Sequence, residues 1–219
     1  WVLINDAGQY EYIRTDGINP YYMQDEDIVQ LVKVHLLNHQ IPALDALYFY
    51  GAGCAAEHNK ERLVNIFKKS LHPAHIEVDT DLLGAARALF GQVQGIACIL
   101  GTGANSGIYD GKQITYSKPT LGYIFGDEGS GASIGKKLIE LYLKQKLPRE
   151  LREALEQTEN VNRDKIIDAV YRQPFPNRYL ASFSKFVFMH EQHLFLQEML
   201  YDIFKAFVEQ RIVGMTPQT

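Results

Sequence analysis

Two cysteines, Cys54 and Cys98, are all that this 219-residue chain contains, and they stand too far apart in sequence for a disulfide framework or a metal knuckle. No apolar run approaches the length that spans a bilayer, and the opening WVLINDAGQYEY has no basic region followed by a hydrophobic signal core. The expectation is a cytoplasmic protein with no membrane partner. Positive charge is also scarce: 22 Lys and Arg against 26 Asp and Glu leave a formal net charge of -4, which offers no footprint for nucleic acid. The familiar phosphate signatures are missing too. There is no GxxxxGK[ST], and no GxGxxG that opens a helix directly after a strand, so the P-loop and dinucleotide-binding readings fail. No internal repeat is visible. What is present, 46% hydrophobic and 22% charged residues, suits one or two globular domains with a sizeable buried core.

The most informative stretch is residues 95–135, GIACILGTGANSGIYDGKQITYSKPTLGYIFGDEGSGASIG. An apolar run at 96–100 ends in Gly101-Thr102-Gly103-Ala104-Asn105-Ser106, and a polar, Tyr-rich ribbon leads to Gly126-Asp127-Glu128-Gly129-Ser130-Gly131, which opens an amphipathic helix. Glycine admits left-handed φ and lets backbone N–H groups approach an anion, while Thr102, Ser106 and Ser130 add hydroxyl donors. Two such turns, each following an ordered element, point to a bound phosphate. The plainer alternative is that Gly101 and Gly103 close a hairpin and that Gly129 and Gly131 break the chain before a helix. Asp127 and Glu128, read as helix-start acids alone, contribute about 0.3–1 kcal/mol through the helix dipole.

Around this stretch the hydrophobic pattern alternates. Residues 1–5 are β-prone, 6–9 form a turn and 10–15 alternate like a returning strand, so the chain opens as a hairpin. A turn cluster over 15–20 contains Asn19 before Pro20, an ordinary turn position. Helical spacing covers 25–38, a buried strand covers 44–50 and ends in Gly51-Ala52-Gly53, and a second amphipathic helix covers 59–71. A short strand at 76–78 runs through Asp79-Thr80-Asp81 into an Ala-rich helix at 82–90. This rhythm predicts a mixed α/β sheet with helices packed on it. After the ribbon the pattern is helical: 132–145, 149–157, 163–172, 180–190 and 192–212. Asp81 sits where a strand ends and a helix begins. Carboxylates there project into clefts at the carboxyl edge of a sheet, but one that merely caps the helix at Leu82 is worth about 0.5–2 kcal/mol. Both readings fit the residue types. His190 and His193 lack the spacing of a metal-binding helix pair, and His35 with His39 has it without a third ligand. Cys98 reads as a small buried apolar residue of its strand.

LGTGANS followed by GYIFGDEGSG resembles the N-acetylglucosamine kinase and dehydratase-activator ATPase branch of the actin-like ATPase superfamily, and the pairing is much more specific than either half. The resemblance covers roughly residues 5–139. It implies an α/β, two-lobed actin-like (ribonuclease H-like) fold. Residues 1–93 would form an α/β lobe, and residues 94–219 a helix-rich lobe with the ribbon, the phosphate loop and a helical layer. A cleft between them would set Asp81 opposite Gly101, Thr102, Gly103 and Asn105. The family motif Thr-Asp followed by a small-residue helix matches Thr80-Asp81 and Gly84-Ala85-Ala86, which makes Asp81 the catalytic base and Asp79 a solvated neighbour. Gly101, Thr102, Gly103 and Asn105 would hold nucleotide phosphate, and Asn19, Ser106, Gly122, Asp127 and Ser130 would face the sugar. The implied ligands are ATP, Mg²⁺ and an amino sugar, with no metal ligand assigned and a homodimer compatible. The family's first phosphate loop precedes the opening hairpin, and its adenosine-binding turn is not matched by Gly214-Met215-Thr216-Pro217. A short N-terminal piece and a longer C-terminal piece are therefore expected to be lacking.

One departure concerns specificity. The sugar kinases place Gly-Gly-Trp-Gly before the GDEGS turn, where this chain has Pro119-Thr120-Leu121-Gly122, so an aromatic wall is lost or moved to Tyr123. The activator ATPases, the alternative within the resemblance, hold an iron–sulfur cluster through exposed cysteines; the strand position of Cys98 argues against that, and no iron is expected. A non-catalytic sugar or nucleotide sensor is the third reading, and it would be favoured by loss of the base, whereas Asp81 is present.

Overall fold

The computed structural model describes residues 1–36 and 43–215. The chain is α/β and divides into two compact units, Trp1–Gly84 and Ala85–Thr219. In the first, the opening hairpin forms from β1 (Val2–Ile4) and β2 (Tyr10–Tyr12), with Val2 opposite Tyr12 and Ile4 opposite Tyr10. Its turn is closed by Asn5, whose Oδ1 accepts the N–H groups of Ala7 and Gln9 at 3.1 and 2.9 Å. Helix α1 (Asp25–His35) carries Asp25, Glu26 and Asp27 in its first turn and Lys33 and His35 in its last, the order the helix dipole favours. The far end of the 25–38 helix and His39 lie outside the described residues. Strand β3 (Ala46–Gly51) runs parallel to β4 (His75–Thr80), and α2 (Glu57–Leu71) is the crossover that a parallel pair requires.

Leu63 and Phe67 of α2 are fully buried beneath this pair against Ile28 and Val32 of α1. The Trp1 ring lies 5.8 Å from those of both Phe49 and Phe67. Among the described residues the mixed sheet expected from the strand–helix rhythm does not form. Among the described residues the hairpin and the β3–β4 pair are separate sheets. A groove of about 660 Å³, lined by Leu3, Ile4, Leu44 and Ala46 among others, lies between the hairpin and the start of β3. Side chains rather than ladder hydrogen bonds join them.

Helix α3 (Asp81–Phe90) leads into the second unit, where β5 (Gly95–Leu100), β6 (Ala104–Tyr109) and β7 (Ile114–Ser117) form an antiparallel meander. A helical turn, α4 (Gly122–Phe125), precedes α5 (Gly131–Leu143), α6 (Arg149–Glu159) and α7 (Arg163–Tyr171). The 180–190 helix expected from spacing is two helices, α8 (Pro176–Ser182) and α9 (Ser184–Met189). Ser182 and Ser184 donate their hydroxyls to the carbonyls of Tyr179 and Ala181, both at 2.7 Å, and such back-bonding bends a helix. The final helix, α10 (Leu194–Phe207), widens at its end into a π turn at Val208–Ile212. Leu138, Leu155, Val187 and Leu196, all fully buried, centre the core of these helices. Gly135 of α5 meets α8 at the carbonyl of Leu180, where an added Cβ would lie 1.8 Å from the oxygen.

Candidate active site

Each unit holds some of the candidate residues. In the first, strand β4 ends at Thr80, opposite Gly51 at the end of β3, and α3 begins at Asp81. The cap of α3 is Thr80, whose Oγ1 accepts the Leu83 N–H at 3.2 Å. Asp81 stands one residue later, half-buried; its Oδ1 accepts the adjoining Leu82 N–H at 2.9 Å, and it forms no ion pair among the described residues. Asp79 is committed elsewhere, paired with Lys60 at 2.9 Å and accepting the Thr80 N–H at 2.7 Å. A half-buried carboxylate without a counter-ion, at the carboxyl edge of a parallel pair, is placed to accept a proton.

Asn19 borders the same edge. Its Oδ1 accepts the Tyr21 N–H at 3.0 Å and lies so close to Gly53 that a Cβ there would come within 2.6 Å. Gly53 also has φ +85, so two constraints keep a glycine beside Asn19. Arg62 of α2 fixes the loop beyond, donating to the carbonyls of Pro20 and Met23 at 2.6 and 2.7 Å and pairing with Asp25. Nothing in the sequence singled Arg62 out, because two of its partners are backbone oxygens, 42 and 39 residues away.

Cys54 is fully buried at this edge. Burial, then the carboxylates of Asp81 and Asp79, push its thiol up from 9.0 to about 11. The folded state therefore keeps this proton after the unfolded chain has lost it, and stability should fall as pH rises from about 9 through 11. A thiol reagent at pH 8 is expected to leave Cys54 unmodified until denaturant is added; rapid labelling of Cys54 in the native protein would show the edge to be open. Cys98 is half-buried, with its thiol also raised by burial against the opposing charge of Arg211. Neither presents the exposed thiolate that a surface iron–sulfur cluster takes.

In the second unit the β5–β6 turn and the start of α5 interlock. Gly131 and Ala132, the first residues of α5, donate their N–H groups to the carbonyls of Gly101 and Thr102 at 2.8 and 3.1 Å. Ser130 caps the helix by accepting the Ser133 N–H at 3.1 Å. The helix's own amides are thus consumed within the protein. The donors left at the turn are the backbone N–H groups of Thr102 and Gly103 and the Thr102 hydroxyl, none of which has a partner among the described residues. Behind them Asp127 is held at φ +60, a left-handed conformation costing roughly 1–2 kcal/mol for a residue with a side chain. Its Oδ1 accepts the Ala104 N–H at 3.2 Å, and its Oδ2 lies where a Cβ on Gly103 would come within 3.0 Å. Gly129, at φ +80, packs so closely on Phe207 that a Cβ would come within 2.9 Å.

The structure thus brings Gly101, Thr102, Gly103, Asp127 and Ser130 together, with Asn105 farther along β6. Ser106 and Ser130 are both fully buried, and the Ser106 hydroxyl donates to the Arg211 carbonyl at 3.2 Å, so both hydroxyls are engaged within the chain. Gly122 opens the short α4 turn at φ +69, exposed, with Leu121 and Phe125 exposed beside it. Two of the histidines are engaged within the chain: His190 Nδ1 bonds the Phe186 carbonyl at 2.9 Å, and His193 joins Glu150 at 3.1 Å. Among the described residues no group of three or more His, Cys, Asp or Glu is placed to hold a metal ion, and no helix is long and apolar enough to cross a membrane.

No protein-family model and no curated protein matches the sequence. Among solved structures, the chain superposes on a candidate N-acetylglucosamine kinase from Porphyromonas gingivalis with a TM-score of 0.86 and 40% identity, over 92% of this chain and 72% of that one. A second, from Chromobacterium violaceum, gives a TM-score of 0.59 at 18% identity over 84% and 68%, and it supports the fold alone. The departure from the Gly-Gly-Trp-Gly pattern therefore sits within a close overall likeness. On the first of these matches, the chain belongs to the N-acetylglucosamine kinase family of sugar kinases.

Proposed function

We propose that the protein transfers the γ-phosphoryl group of ATP to a hydroxyl of an amino sugar, N-acetylglucosamine or a close relative, within a two-lobed actin-like fold. The observation that carries this reading is the β5–β6 turn, where Thr102 and Gly103 hold free backbone donors beside the strained Asp127. Backbone strain of this kind persists where the surroundings over-determine it, and it clusters at ligand-binding sites. Thr102 and Gly103 bind phosphate oxygens. Asp127, its carboxylate anchored on Ala104, accepts hydrogen bonds from sugar hydroxyls, a role that Asn19 is assigned as well. Asp81 accepts the proton of the attacking hydroxyl as the sugar oxygen forms its bond to the γ-phosphorus and the bond to the leaving ADP breaks.

The donor set fits the nucleotide phosphates. Mg²⁺, which neutralises charge on the phosphates, would enter with the nucleotide, since it takes one or two carboxylates plus phosphate oxygens and water. The test is a thermal-shift screen of the full-length protein with amino sugars, Mg²⁺ and a non-hydrolysable ATP analogue. A ligand that binds only the folded state at one hundred times its Kd adds about 2.7 kcal/mol, roughly 5–11 °C for a chain of this size. The expected result is a shift with N-acetylglucosamine that glucose does not match. Equal shifts with both sugars would remove the acetamido preference, and no shift with any sugar would remove the kinase reading.

A further inference from the structure

Arg211, on the π turn that ends α10, is 7% exposed, and no carboxylate pairs with it among the described residues. Its Nη1 donates to the Pro119 carbonyl at 2.8 Å and its Nη2 to the Lys118 carbonyl at 3.0 Å. A longer contact runs from Nη2 to Asn105 Oδ1 at 3.3 Å, and Nε has no partner. Lys118 answers in the opposite direction, donating its Nζ to the carbonyls of Gln210 and Val213 at 2.7 and 2.9 Å. Carbonyls in a helix's last turn lack intrahelical partners and attract cations, so the lysine completes the end of the helix. Two cations thus grip each other's backbones through neutral oxygens alone. A buried guanidinium without a counter-charge is costly, and packing alone would be better served by an apolar side chain. What the guanidinium adds is a rigid fork that holds two consecutive carbonyls at once.

Those carbonyls begin a particular segment. Beyond Pro119 the chain runs through Leu121, α4 and Gly126 to Asp127, with Leu121, Ile124 and Phe125 exposed. Its far end rests on the same helix: Gly129 packs on Phe207, one turn before Arg211, where a Cβ would come within 2.9 Å. Residues 120–128 therefore form a strap with both feet on the end of α10. Between the feet the ties are few, among them Lys136 Nζ to the Tyr123 carbonyl at 2.8 Å and Asp127 Oδ1 to the Ala104 N–H at 3.2 Å.

We infer that Lys118 and Arg211 are positioning residues, a latch that ties the strap to the end of the last helix and so sets how firmly Asp127 is presented to the sugar. The sugar comes from the kinase reading, on which that consequence rests; the latch itself does not depend on it. Neither cation touches the substrate. Thr102 and Gly103 lie outside the strap, so release of the latch should weaken sugar binding and spare the nucleotide.

Chymotrypsin reads the latch without any ligand, because Leu121, Tyr123 and Phe125 are cleavage sites within the strap and cleavage needs a locally opened segment. In the full-length protein, Lys118→Met should speed cutting in the strap about tenfold while cuts elsewhere and the melting temperature hardly change. Steady-state kinetics should show the KM for N-acetylglucosamine raised about five- to tenfold, with kcat and the affinity for a Mg²⁺-bound non-hydrolysable ATP analogue within about twofold of wild type. Lys118→Arg still offers a cation to both carbonyls and should restore both readouts. Arg211→Met should act in the same direction, and combining it with Lys118→Met should add little, since both break one latch. If Arg211→Met does not fold, the two Lys118 variants decide. Strap cleavage at the wild-type rate in Lys118→Met would overturn the latch. Faster cleavage with an unchanged sugar KM, or with an equal loss of nucleotide affinity, would overturn its role in presenting Asp127. A wild-type protein that phosphorylates no amino sugar would instead remove the kinase reading, and the cleavage rates would still decide the latch.

Discussion

Asp81→Asn is expected to lower turnover by about 10²–10⁴, the usual contribution of a positioned general base, or roughly 3–5 kcal/mol of barrier. The structure sharpens the expectation, because the cap of α3 belongs to Thr80 rather than to Asp81. Asparagine keeps an oxygen for the Leu82 N–H that Asp81 Oδ1 now accepts. Thermal stability should therefore change little, and nucleotide affinity should hold, since the proposed phosphate donors lie at Thr102 and Gly103. Thr80→Ala should do the opposite, losing about 0.5–2 kcal/mol of stability with the cap. An Asp81→Asn enzyme with turnover within a few-fold of wild type would show that the carboxylate is not the base.

Gly135→Ala carries the largest expected effect on stability. In an open helix, alanine for glycine gains up to about 1 kcal/mol. Here the new methyl would meet the Leu180 carbonyl oxygen at 1.8 Å and its carbon at 2.7 Å, backbone atoms of the neighbouring helix that cannot rotate aside. Overpacking of this kind costs typically 1–3 kcal/mol and occasionally more. A net loss of about 3 kcal/mol corresponds to a fall in Tm of roughly 6–12 °C for a domain of this size. The sign of the effect decides. A Tm that rises, read by calorimetry, would mean that α5 and α8 do not approach at Gly135.

Local chemistry made much of the fold legible in the sequence. Periodicity located α2, α6 and α7 closely, because their apolar faces repeat without interruption. It ran α8 and α9 together, since serine hydroxyls that turn back onto the preceding carbonyls leave the apolar spacing intact. It could not separate the hairpin from the β3–β4 pair, because spacing along the chain does not show which backbones come within hydrogen-bond reach. At the site, the glycine turns pointed to Asp127, but its left-handed backbone and its bond to Ala104 emerge only when α5 docks on the turn. The same docking consumes the first amides of α5, which residue types alone would have offered to phosphate. Arg211 did carry a signal that was missed. It follows Leu200, Ile203 and Phe207 on the buried face of the last helix, where a charged side chain is out of place.

The central claim is phosphoryl transfer to an amino sugar, and phosphorus NMR of the full-length protein with Mg²⁺, ATP and N-acetylglucosamine tests it most directly. The account predicts a sugar phosphomonoester signal that grows in step with ADP, needs the sugar, and slows by about 10²–10⁴ with Asp81→Asn. ADP that accumulates equally without sugar, or a phosphomonoester formed at an undiminished rate by the Asp81→Asn protein, would contradict it.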